Sequence, residues 1–150
     1  MKLEKTLYQN SLFYFIAFFL LMLAGFWFTY FTKVLDQENY RMHTHGVTLI
    51  LWCLMLISQA YLIRAKKHSL HKQIGKFSYV LVPVLVFTTL DLLKYRLPAT
   101  LGTMDFFSVA LVVNALIAFV IFYALAIFYR KKSTLHARYM VCTAFPMFTP

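Results

Sequence analysis

Four long, mainly apolar runs, at about residues 11–32, 45–63, 75–93 and 106–129, limit what this chain can fold into more than any other feature. Crossing a hydrocarbon core of about 30 Å takes roughly 20 helical residues, and each run is of that order. In lipid every backbone N–H and C=O must find its partner within the segment, and none of the runs alternates apolar and polar residues as a barrel strand would. The expected fold is therefore all-α: an integral membrane helical bundle with four transmembrane helices. A fifth hydrophobic stretch, residues 136–150, amounts to about 22 Å of helix and contains Pro146. It is expected either to be part of a longer helix or to dock into the bundle without crossing.

Composition supports the same solvent. The chain of 150 residues is 61% hydrophobic and 13% charged, against roughly a quarter charged in ordinary soluble domains. Its formal net charge of +10 would suggest nucleic acid if the cations formed a patch on a polar domain. They stand instead in the breaks between the apolar runs, so the partner expected is the lipid bilayer and no nucleic acid. The first run has a longer apolar core than a secretory signal, and "LAGFWFTYF" sets bulky aromatics where cleavage needs small residues, so it is expected to stay as an anchor.

Lys and Arg near the span ends set the orientation. With the N-terminus inside, the inner segments hold Lys2, Lys5, Arg64, Lys66, Lys67, Lys72, Lys76, Arg130, Lys131, Lys132 and Arg138, and the outer loops hold Lys33, Arg41, Lys94 and Arg96. That is eleven against four. The expected place is the bacterial inner membrane, multi-pass, N-terminus inside. Trp27, Tyr30, Tyr40, Tyr79, Tyr95 and Tyr129 lie near span ends, as interfacial aromatics do. Cys53 and Cys142 fall in or at apolar helices and read as small hydrophobes rather than as a disulfide. No span repeats another, and the chain reads as one domain.

Topology sorts the five histidines. His43 and His45 fall at the outer end of the second span, whereas His68, His71 and His136 fall at inner ends, nearly a bilayer away. On a helix His43 and His45 point about 160° apart, so one ion could take both only if the chain before His45 were irregular. Asp91, near the outer end of the third span, could pair with a cation or join His45 as a metal ligand, because ionisable groups in spans are costly and often functional. On the inner side, His68 and His71 share a helical face at a spacing of three, and His136 could add a third imidazole, the donor set of a catalytic zinc or a copper-like site. Histidine is also common in basic interfacial loops that hold no metal. Haem would need axial histidines on facing helices; His45 and His136, at opposite leaflets, could not share one.

His45, Trp52 and Gln59 recur every seven residues along the second helix. Gln59 and Asn114, both deep in spans, are expected to hydrogen-bond to neighbouring helices, the usual role of such amides, or else to line a polar pathway. No phosphate loop, H-E-x-x-H, nucleophile elbow or C-x-x-C-H is present, and five carboxylates are too few to reveal a paired acid and base. Catalytic residues are not identifiable.

The elements "HTHG" at residues 43–46, Trp52, Gln59, "HKQIG" at 71–75, "HARYM" at 136–140 and the ending Thr149–Pro150 resemble an uncharacterised family of bacterial polytopic membrane proteins. Its pattern is H-x-H-G, a tryptophan, a glutamine, H-R-x-x-G and later H-K-R-x-M with Thr-Pro or Asp-Pro. Lys72 stands where that pattern has Arg, and Ala137 where it has Lys. The resemblance implies His45, Gln59, His71, Gly75, His136 and Arg138 as the matching positions, and one or two further helices after the proline, which would make the fifth segment here incomplete. It implies no activity. Gly75, after a basic turn and before a span, is expected to permit a tight reversal or close helix packing.

Three functions follow as expectations. The first is a structural or accessory membrane protein, a subunit of a larger membrane complex and not an enzyme. The second is a His-ligated metal- or haem-binding redox membrane protein, using His68, His71 and His136 or His45 with Asp91. The third is a transporter or channel component lined by Gln59, Asn114 and Asp91.

Overall fold

The computed structural model describes residues 10–28, 30–36, 38–100 and 106–148. The described residues are helices and the turns between them: α1 (Ser11–Gly25), a 3-10 turn (Phe31–Lys33), α2 (Tyr40–Arg64), α3 (His68–Gly75), α4 (Ser78–Thr100), α5 (Phe106–Phe128), α6 (Ser133–Cys142) and a 3-10 turn (Phe145–Phe148). Three helical stretches, Tyr40–Arg64, His68–Leu97 and Phe106–Phe128, are long and apolar enough to cross a membrane. Lys2 and Lys5 of the charge count, and the ending Thr149–Pro150, lie outside the described residues.

The chain divides into two compact units, residues 1–85 and 86–150, with the division inside α4 rather than in a linker. In the first unit α1 packs against α2, which also packs against α3. Two contacts fix the direction of the α1–α2 pair. Near the start of α1, the Phe13 ring lies 5.0 Å beneath the guanidinium of Arg64, in the last turn of α2. Beyond the end of α1, the Tyr30 phenol lies 2.9 Å from His43 Nδ1, in the first turn of α2. The pair is antiparallel, and the two contacts lie about 31 Å apart along α2.

Helix α2 begins earlier than its apolar run. Asn39, in extended conformation, accepts a hydrogen bond from the Arg41 N–H through its side chain, the usual device for satisfying a helix's first amides. The helix closes on a two-bond C-terminal cap: Lys66 N–H donates to the Ile63 carbonyl and Lys67 N–H to that of Leu62. Lys66 holds the left-handed position of that cap at φ 58°, where glycine is the usual occupant. The reversal expected at Gly75 thus takes place at residues 65–67. Gly75 is helical, and a Cβ built on it would meet only Gln59 Oε1 at 3.8 Å, an ordinary contact.

In the second unit α6 folds back on α5. Tyr129 and Tyr139 stack at 5.7 Å, and His136 Nδ1 lies 2.8 Å from the Ala126 carbonyl. The start of the fifth hydrophobic stretch thus lies in a 10-residue helix that docks on α5, about 15 Å long and too short to cross by itself. It ends before Pro146, which stands in the final 3-10 turn, as proline's missing N–H requires. Thr143, fully buried, donates to the Met140 carbonyl at 2.6 Å.

Candidate functional site

His43 and His45 both lie within α2, because the Asn39 cap starts the helix at Tyr40. With the backbone regular through both, the two imidazoles diverge and cannot share an ion. His43 has a different role. With Nδ1 unprotonated, the Tyr30 phenol donates to it at 2.9 Å, and the two rings meet edge-on. Gly46, one turn further along, makes room for this: a Cβ there would approach Tyr30 Cζ to 3.2 Å and the phenolic oxygen to 3.3 Å. Three residues thus pin the α1–α2 connection to the first turns of α2. Tyr30 was legible only as an interfacial aromatic, since nothing in the spacing of residues 30 and 43 announces their pairing.

His45 is half-buried, and its backbone carbonyl accepts from Thr48 Oγ1 at 2.8 Å. It belongs to the first compact unit and Asp91 to the second. Along the same helix Trp52 and Gln59 are buried, as their shared stripe with His45 predicts. Gln59 does not donate to a neighbouring helix; its Nε2 approaches Met55 Sδ one turn back in α2, at 3.8 Å. Its Oε1 is buried with no hydrogen-bond partner among the described residues, facing the bare Cα of Gly75. Two of the positions singled out by the sequence resemblance, Gln59 and Gly75, are therefore neighbours.

On α3, His68 is exposed and His71 half-buried with its Nδ1 enclosed. His136 lies in the second unit on α6. Among the described residues no three His, Cys, Asp or Glu side chains form a group that could hold a metal ion. His136 is nevertheless oriented. The Ala126 carbonyl can only accept, so His136 Nδ1 donates to it, and in a neutral ring of that tautomer the lone pair is on Nε2. Compared with known protein families, curated proteins and solved structures, the chain matches none.

Asn114 departs from expectation in its partner. Its Nδ2 donates at 2.9 Å to the Ala110 carbonyl of its own helix, and the side chain is exposed. An amide in the middle of an apolar helix can satisfy its donor locally in this way, which the expectation of an interhelical bond left out. Cys53 and Cys142 are both free thiols.

Proposed function

We propose that this chain is a small polytopic inner-membrane protein with four spans and its N-terminus inside, serving a structural or accessory role as a subunit of a larger membrane complex. The exposed face of α5 carries this reading. Phe107, Asn114, Ile121 and Phe128 recur every seven residues, with Ile117 and Ala124 between them, and all six are exposed. That is the spacing of a helix–helix seam, in which one asparagine sets register. In hydrocarbon a polar amide on such a face favours a second helix with a donor or acceptor at the same depth, worth about 0.6 to 2 kcal/mol. The α1–α2 pairing supports the fourth span, since its contacts at Phe13 and Tyr30 meet α2 near its two ends.

The test is co-purification in mild detergent. The protein should migrate as part of a larger complex, and Asn114→Leu should release it at least severalfold more readily while its own helical content is unchanged. A monodisperse solitary species for both proteins would contradict the reading.

One observation favours a second reading, a His-ligated metal or haem protein. A backbone carbonyl holding one ring nitrogen so that the other presents its lone pair is the usual support of a ligating histidine, and His136 has that support from Ala126. Under this reading the detergent-purified protein shows a Soret band or stoichiometric transition metal that His136→Ala removes. A colourless, metal-free sample contradicts it.

A further inference from the structure

The corner between α2 and α4 carries charge in an arrangement that topology alone does not require. Arg64, Lys66, Lys67, Lys72 and Lys76 are all exposed, and the sequence holds no carboxylate between Glu38 and Asp91. None of the five pairs with a carboxylate among the described residues. A count of cations on the inner side asks only that they be there; two further features concern where they stand.

The first is the distribution around α3 and the turn that follows it. At helical spacing Lys72 and Lys76 follow His68 along one face, all exposed. Leu70, Ile74 and Phe77 follow one another on the opposite face, with Leu70 39% and Phe77 65% exposed. Between them Gly75 and His71, half-buried, and Ser78, buried, form the side that includes the contact with Gln59. A short helix with cations on one side, exposed apolar groups on the other and a third side packed on the protein is built for the boundary between headgroups and acyl chains.

The second is Lys66. The cap that ends α2 needs a residue at φ 58°, a left-handed conformation that is sterically costly for an L-residue with a side chain. Glycine would avoid that cost. A lysine held there keeps a cation at the apex of the turn, and an observed backbone outlier is a legitimate pointer to function.

We propose that this corner is a binding site for anionic phospholipid headgroups, with Lys66, Lys67, Lys72 and Lys76 supplying the charge and Leu70 and Phe77 entering the acyl region. The inference rests on the membrane reading but not on the α5 partner, so either can fail alone. Arg64 is committed in part to the Phe13 ring and serves to hold α1 at the site.

The test uses the full chain reconstituted in phosphatidylcholine vesicles with spin-labelled phosphatidylglycerol or spin-labelled phosphatidylcholine as the probe. The native protein should select the anionic probe over the neutral one, and 0.5 M salt should weaken the selection by screening. Replacing Lys66, Lys67, Lys72 and Lys76 together with Gln should lower the selectivity about tenfold or more. Lys131→Gln with Lys132→Gln, which removes charge at another exposed corner, should leave most of it. Lys66→Gly separates the two explanations of the strained residue: selectivity should fall while thermal stability rises. Equal losses in the two corner variants, unchanged selectivity in Lys66→Gly, or no anionic preference in the native protein would each overturn the proposal. The last result is also the one expected if the corner instead receives an acidic segment of a protein.

Discussion

Tyr30, His43 and Gly46 show how much one contact depends on all three residues. The phenol shares a hydrogen bond with His43 Nδ1 at 2.9 Å, and a side chain at position 46 would crowd the ring at 3.2 Å. Tyr30→Phe keeps the ring over Gly46 and removes one hydrogen bond, so it should cost about 1 kcal/mol, read as a lower melting temperature in detergent. An unchanged melting temperature at neutral pH would remove the contact from the account. The sequence marked His43 and Gly46, since histidine and glycine beside an apolar run are conspicuous. It did not mark Tyr30 as their partner, because a contact across thirteen residues depends on the path of the intervening turn. Gln59 and Gly75 were similarly conspicuous apart and unconnected until α3 was seen against α2.

Among the elements, long apolar runs were legible and their ends less so. Hydropathy places α2, α4 and α5, because lipid demands their length and polarity. It starts α2 at His45, whereas the Asn39 side chain starts it at Tyr40, and capping chemistry rather than hydropathy decides that boundary. It also places the chain reversal at glycine. The turn instead uses Lys66 at positive φ, a choice invisible to propensity because it runs against it. At this scale Lys66→Gly, one arm of the lipid measurement above, is expected to stabilise the end of α2 by relieving a left-handed lysine. On α5 the sequence located Asn114 and assigned it to a neighbouring helix. Its donor in fact returns to Ala110, and the seam around it faces outward, which is why the functional proposal concerns that face.

For the whole molecule, an apolar majority and cations confined to the breaks made a membrane-spanning helical protein legible, and three helices of sufficient length are present. Function was less so, because the surroundings of each histidine depend on the tertiary path: His43 meets Tyr30, His136 meets the Ala126 carbonyl through Nδ1, and His68 is exposed. The central claim is that the bilayer lies between the α1–α2 connection and the α2–α3 corner. Side-specific labelling of single cysteines, introduced after Cys53 and Cys142 are replaced by alanine, tests it most directly. An impermeant thiol reagent should reach Glu38→Cys only from outside intact cells, and Ser69→Cys and Ser133→Cys only in inside-out vesicles. Labelling of Glu38→Cys and Ser69→Cys from the same side would contradict the account.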